Sequence, residues 1–238
     1  MSFLARKPIM LITGTSKGIG RGLAEYFANK GYTVIGCSRS SQSFQHNAYI
    51  HFRMDVSDEA QIRQCIRAVK RDYGFIDVLI CNAGVAPAAL LLTMTPDEVV
   101  KNVFDINTRG TFLVCREVAK LMMLQRFGRI ITVSSMAVGL HEEGTSAYAA
   151  SKSAVVEMTK ILAKELAPVG ITCNVIAPSM VVTDAMEALG DAVRARALDK
   201  LTIKRVLSIE EIANVVSFFT APESSCITGQ VVHMGLVV

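Results

Sequence analysis

Seven apolar runs of strand length, separated by stretches with helical periodicity, constrain this chain more than any other feature of its sequence. They are Pro8–Thr13, Thr33–Cys37, Ala48–Arg53, Ile76–Cys81, Arg129–Ser134, Ile171–Ala177 and Gln230–Met234. Most are continuously hydrophobic and do not alternate, which is the pattern of strands covered by helices on both faces. Between the first two, Ile19, Leu23 and Phe27 recur on one helical face, with Gly31 as the stop. Thr95-Pro96-Asp97-Glu98 has the form of a capping box with proline at the first helical position, and Ser208-Ile209-Glu210-Glu211 repeats that logic. The alternation predicts a single doubly wound α/β domain over residues 1–238, with a mostly parallel seven-stranded sheet and helices on both faces. One connection is short. Only about ten residues separate Arg39 from the third strand, so a loop or a single helical turn is expected there in place of a full crossover helix.

Composition narrows the function classes. Of 238 residues, 51% are hydrophobic and 19% charged, enough to bury a core and too apolar for a disordered chain. The formal charge of +4, from 25 basic and 21 acidic residues, is too small for a dedicated nucleic-acid binder. No uninterrupted apolar window of about 18 residues suggests a membrane span. Met1 to Pro8 leads straight into the first apolar run, so no signal peptide is expected. Six cysteines without a C-x-x-C pair are expected to be small core residues in a reducing cytoplasm, with no metal site.

Chemistry enters at the first strand–helix junction. Thr13-Gly14-Thr15-Ser16-Lys17-Gly18-Ile19-Gly20 follows the first strand and opens the first helix. Gly14 suits a tight turn, Gly18 a close approach of backbone to pyrophosphate and Gly20 close helix packing. The helix N-terminus adds unpaired N–H groups for phosphates. The end of the second strand, Cys37-Ser38-Arg39-Ser40, lacks the acid that would hold a free ribose. Arg39, helped by Lys17, is suited to a 2′-phosphate instead.

Tyr148 and Lys152, four residues apart, share one face of a helical stretch running to about Ala167. A tyrosine with a pKa near 10 needs help to act near neutrality. A cation about 4 Å away would lower that pKa by up to ~3 units. Ser134-Ser135 ends a strand, where open α/β sheets bind ligands, and a serine hydroxyl there could hold a substrate carbonyl. A turn role suits Ser134 better. A Ser-His-Asp hydrolase finds no G-x-S-x-G and no suitably placed histidine.

Taken together, these residues make the chain resemble the short-chain dehydrogenase/reductase family over essentially its whole length. The motifs are Thr13-Gly14-x-x-x-Gly18-Ile19-Gly20, Asp55-Val56, Asn82-Ala83-Gly84, Asn107, Ser135, Tyr148-x-x-x-Lys152 and Pro178 with Thr183. The resemblance implies strand order 3-2-1-4-5-6-7 and NADP(H) as cofactor. It makes Tyr148 the proton donor or acceptor, with Lys152 lowering its pKa and binding the nicotinamide ribose. Ser135 would hold the carbonyl, and Asn107 would anchor a water. Ser16 belongs to the phosphate loop, Asp55 and Val56 would contact adenine, and Asn82, Ala83 and Gly84 would line the cofactor. Pro178, Val181 and Thr183 would close on the carboxamide end. Pairing of helices near Asn107–Arg126 and Tyr148–Ala167 into a homotetramer or dimer is implied as well.

Within that family, Gly128–Ser135 and Ile227–Gln230 look most like 3-oxoacyl-(acyl carrier protein) reductases. The expected activity is reduction of a ketone to a secondary alcohol, with substrate free or carried by acyl carrier protein. The alternatives are oxidation of a polar alcohol, polyol or sugar, and a catalytically silent NADP-binding scaffold. Three positions depart from the pattern. Ser179 replaces the usual glycine, the tail from Met234 lacks Asp-Gly-Gly, and Val169 stands where a second carrier-binding arginine would join Arg126. His141-Glu142-Glu143 places unusual polarity near the expected pocket. Residues 184–206 are expected to form a helical lid with Met186, Leu189, Val193, Ala197 and Leu201 on one face.

Overall fold

Main-chain hydrogen bonding gathers the seven apolar runs into one sheet. The computed structural model describes residues 6–41, 44–182 and 191–238. Its strands are β1 (Ile9–Thr13), β2 (Thr33–Ser38), β3 (Tyr49–Arg53), β4 (Val78–Cys81), β5 (Gly128–Val133), β6 (Ile171–Pro178) and β7 (Val231–Met234). All neighbours pair in parallel, in the order β3-β2-β1-β4-β5-β6-β7. Each lies within two residues of its expected ends.

The side-chain alternation of β1 explains why the runs are apolar throughout. Ile9 and Leu11 enter one core, and Met10 and Ile12 enter the other. Helices α1 (Gly18–Asn29), α2 (Glu59–Tyr73), α3 (Asp97–Phe104), α4 (Thr111–Gln125), α5 (Ala137–Leu140), α6 (Ser146–Leu166), α7 (Asp191–Asp199) and α8 (Ile209–Thr220) cover the two faces. Residues of α2, α4 and α6 such as Ile62, Val118 and Ala163 fill the first core. Leu23 and Phe27 of α1 and Val216 of α8 fill the second. Gly31 follows α1 with φ +90°, as a stop in the left-handed region requires.

The short β2–β3 connection carries no helix among its described residues. The two capping motifs diverge. Ser208 accepts from Glu211 N at 3.3 Å while Glu211 accepts from Ser208 N at 2.9 Å, completing the box on α8. At α3 the box does not form, and Pro96 sits at the N-cap. The Thr95 hydroxyl donates instead to the carbonyls of Leu90 and Leu91, at 3.2 and 3.0 Å, because the chain arrives through a tight turn that presents those oxygens first. Five cysteines are buried as expected, but Cys226 is exposed. Of the expected lid, residues 184–190 lie outside the described ones; Asp191–Asp199 is helical and Leu201 is buried. No helix of the described residues is long and apolar enough to cross a membrane.

Removing a hydroxyl from each motif should separate the two. Ser208→Ala is expected to cost about 1 kcal/mol in urea unfolding, the usual loss for an N-cap. Thr95→Ala should cost less than half of that, since its hydroxyl caps no N–H.

Candidate active site

The strand order reverses between β1 and β4, so the loops after them diverge and leave a crevice at the C-terminal edge of the sheet. Asn82 ties the two loops together. Its Nδ2 donates to the carbonyls of Thr13 and Gly14, at 2.9 and 3.2 Å. The main-chain N–H groups of Asn82 and Ala83 both donate to Thr13 Oγ1, at 3.1 and 3.0 Å. This close approach requires glycine twice. Gly14 has φ +76°, and a Cβ there would lie 2.8 Å from Ala83 Cα. A Cβ on Gly20 would overlap Asn82 Nδ2 and the Gly14 carbonyl.

A cleft of about 650 Å³ runs along this edge. It brings together Gly14, Ser16, Lys17, Gly18 and Ile19 of the glycine loop with Arg39, Asp55, Val56, Asn82, Ala83, Gly84 and Tyr148. Gly20 lies just behind the loop, as its packing role demands. The start of α1 opens onto the cleft and has no acidic residue in its first turn. A cradle of bare backbone, a helix N-terminus and two cations fits a dinucleotide phosphate chain.

At the far end of the cleft, the Ser38–Ser40 turn is braced by residues that sequence reasoning did not single out. Tyr49, His51 and Arg53 occupy alternate positions on β3 and therefore share one face of the sheet. His51 Nε2 bonds the Ser40 carbonyl at 3.0 Å, so Nε2 carries the proton. Nδ1 hydrogen-bonds the Tyr49 hydroxyl at 2.9 Å, and that hydroxyl bonds Thr15 Oγ1 at 2.9 Å. Arg53 Nε donates to the Arg39 carbonyl at 3.0 Å. The signal was present as a period of two beside Arg39, but it becomes meaningful only once β3 pairs with β2.

Tyr148 and Lys152 lie in the first two turns of α6, against the end of β5. The Ser135 hydroxyl hydrogen-bonds Tyr148 and also accepts from Ala137 N at 3.2 Å. Lys152 is buried, and its ammonium donates to the Val133 carbonyl at 2.9 Å. Burial pulls the Lys152 pKa from its usual value near 10.5 down to about 8. The expected lowering of the Tyr148 pKa is not what the cofactor-free chain shows. Burial pushes it up, and the Ser135 hydrogen bond offsets only part of that. Desolvation wins here because the lysine ammonium faces the β5 carbonyl.

Asn107 is fully buried in a π-turn, Asp105–Gly110, between α3 and α4. Its amide accepts from Val85 N at 2.8 Å and donates to Val85 O and Ser151 Oγ, at 3.0 and 3.1 Å. A Cβ on Gly84 would lie 3.1 Å from Asn107 Oδ1 and 3.2 Å from Lys152 Nζ, so this glycine brings both heads to the cofactor loop. Ser134 has a structural contact, donating to the Lys152 carbonyl at 3.3 Å. Pro178 ends β6 and Val181 is buried in a bridge to Leu207, both outside the cleft lining. Thr183 lies outside the described residues.

Tyr148 also lines a second, small cavity of about 60 Å³ with Pro87, Ala88, Leu90 and Val99. Beyond it, Leu91, Leu92 and Met94 are exposed. Glu142 pairs with Lys200 at 3.0 Å, so that part of the His141-Glu142-Glu143 charge is engaged with the segment after α7.

Comparisons with known proteins agree with this geometry. A family described as enoyl-(acyl carrier protein) reductase matches residues 14–235. The 3-oxoacyl-[acyl-carrier-protein] reductase FabG of Escherichia coli (strain K12) is 36% identical, over 95% of both chains. That of Thermotoga maritima is 37% identical, over 97% of this chain and 98% of the relative. Among solved structures, ElxO with NADP bound superposes with a TM-score of 0.90 at 26% identity, covering 96% of this chain and 97% of its own. An actinorhodin polyketide ketoreductase with NADPH gives 0.88 at 28% identity and 96% of each chain.

Lys152 offers a direct check. In the cofactor-free chain it should titrate near pH 8 by NMR of ¹³C-labelled lysines, charged below and neutral above. A depressed lysine pKa means the buried charge costs stability in full below about pH 8, and the cost fades as pH rises towards 10.5. A titration near 10.5 would show a solvated ammonium.

Proposed function

The chain belongs to the short-chain dehydrogenase/reductase family and is an NADP-dependent oxidoreductase, and we propose that it reduces the ketone of a 3-oxoacyl thioester or closely related carbonyl to a secondary alcohol. The observation that carries this reading is the position of Tyr148, which lines both the cofactor cleft and the small apolar cavity beyond it. A carbonyl held between the two would meet the phenol from one side and the nicotinamide from the other.

Bound NADPH supplies the hydride. The chain supplies the rest. Ser135 holds the carbonyl oxygen and keeps the Tyr148 hydroxyl directed at it. Tyr148, kept protonated by burial, donates its proton to the oxygen as negative charge develops there. Lys152 would hold the nicotinamide ribose, and Asn107, fixed by Val85 and Ser151, would position a water that restores the proton. Asp55 and Val56 would pack the adenine, Arg39 and Lys17 would pair with the 2′-phosphate, and Val181 and Thr183 are assigned to the carboxamide by the family resemblance alone.

Leu91, Leu92 and Met94, exposed in the segment that follows Leu90 of the cavity wall, suit an acyl chain better than a sugar. Arg126 is exposed beside Val169, its guanidinium donating to the Pro168 carbonyl at 3.2 Å, which leaves one cation where carrier-protein docking would draw on two. Phe112, Leu124 and Ile161 stand exposed on α4 and α6 and support self-association through those helices. A stable monomer in light scattering would remove that part of the reading.

Assays of acyl thioesters, simple ketones and keto-sugars with NADPH test the substrate class, with turnover of 3-oxoacyl thioesters expected to lead. Tyr148→Phe should lower kcat at least ~100-fold while leaving NADPH binding nearly intact. Arg39→Ala should weaken NADPH by roughly 10- to 150-fold and leave NADH almost unchanged. Equal affinities of the wild type for both cofactors would make Arg39 a surface cation only.

A further inference from the structure

Arg129, near the start of β5, is a charged side chain buried without a counter-ion. It is 3% exposed and forms no ion pair among the described residues. Nη1 donates to the Gly128 carbonyl at 3.0 Å, and the guanidinium lies 4.5 Å from the centre of the Phe127 ring. Nε is enclosed with no partner. No hydrogen bond of Nη2 is found among the described residues, and Arg129 lines a cavity. The nearest acid by strand pairing is Asp77, whose carbonyl accepts from Arg129 N at 2.9 Å. Its carboxylate is already occupied, bidentate with Arg6 at 2.7 Å and accepting from Ile9 N at 2.8 Å.

The cavity measures about 340 Å³ and is walled by apolar Phe127, Ala167, Ile171 and Pro222 and by the hydroxyl residues Thr172, Ser225 and Thr228. Thr172 is buried, and its hydroxyl also has no partner. Gly128 and Ile171 begin β5 and β6, so this cavity lies at the N-terminal edge of the sheet. At about 3.3 Å per residue it is roughly 20 Å from the cofactor cleft. Burial works against the charge on Arg129, yet an arginine does not release its proton at any pH a protein survives. A buried cation that can neither ionise away nor find an acid is a binding group waiting for an anion.

We propose that this cavity is a binding site for a small carboxylate with an apolar body. The Arg129 guanidinium can pair with a carboxylate at the cavity, with the enclosed and unpartnered Nε and Thr172 Oγ1 behind it as further donors once the ligand is seated. Phe127, Ala167, Ile171 and Pro222 then cover the hydrocarbon part. A phosphate fits less well, because a single cation faces its charge and the Phe127, Ala167, Ile171 and Pro222 walls offer it no donor. The site is independent of the reading of the active site, since none of its residues lines the cofactor cleft.

Sodium hexanoate, titrated calorimetrically into the full chain with and without saturating NADP, tests the proposal. A dissociation constant on the order of 1 mM is expected for a ligand of that size, unchanged by NADP, with no binding of hexanol. Arg129→Gln should weaken hexanoate at least ~10-fold, and Thr172→Val about 3- to 10-fold. Arg129→Lys keeps the charge but loses the planar fork, and should fall between wild type and Arg129→Gln. Should Arg129→Gln fail to fold, Thr172→Val and Arg129→Lys must both weaken binding. Hexanoate that does not bind, is displaced by NADP, or binds the variants as it binds wild type would overturn the proposal. So would a loss of oligomer in Arg129→Gln, seen by light scattering, if the wild type ignores hexanoate, because the guanidinium would then serve a second copy of the chain.

Discussion

The amide of Asn82 ties together the two loops that leave the sheet at the one place where its strand order reverses. Chain connections leave β1 towards β2 on one side and β4 towards β5 on the other, and nothing in the sheet ladder itself joins the loops that follow. Asn82 Nδ2 supplies that join by bonding the Thr13 and Gly14 carbonyls, with Thr13 Oγ1 answering from below. The start of α1 is thereby aimed into the crevice. Two residues along the chain, Gly84 rests against the heads of Asn107 and Lys152. One side chain therefore sets both the phosphate end and the proton-transfer end of the cleft.

Burial then decides the protonation states at the proton-transfer end. Tyr148 and Lys152 are pushed in opposite directions, the phenol towards staying protonated and the ammonium towards giving up its proton. Both shifts favour uncharged groups, which is what a site emptied of water imposes. The π-turn at Asp105–Gly110 contributes geometry. Its wider winding frees the Asn107 carbonyl from the regular ladder, and the Thr111 hydroxyl takes it at 2.7 Å. The Asn107 amide is left to reach across to Val85 and Ser151.

The strands were legible because each is apolar on both faces, and a run such as Met10–Ile12 has no second interpretation once helices flank it. The cleft residues were legible for a related reason: they sit at strand ends and helix starts, where local sequence and site geometry coincide. What escaped depends on pairing. Tyr49, His51 and Arg53 act on the Ser38–Ser40 turn only because β3 lies beside β2, and three alternating residues on an edge strand carry no mark of that. The π-turn falls inside a stretch whose periodicity is that of an ordinary helix. Proximity to a cation predicts a lowered Tyr148 pKa, but a sequence carries no measure of burial, and burial raises it.

Lys152 and Arg129 show how differently two buried cations can be accommodated in one sheet. Lys152 lies at the C-terminal edge, where it has a carbonyl to bond and can shed its proton near pH 8, so its burial is relieved by titration. Arg129, at the opposite edge, has one carbonyl, one ring face and no such escape, because its proton is held too tightly. The same desolvation that tunes an acid–base group in the first case leaves a fixed charge in the second. Asp77 could have neutralised it from the neighbouring strand, but Arg6 and the Ile9 N–H hold that carboxylate. A fixed, underpaired charge beside a cavity is the physical basis of the proposed anion site.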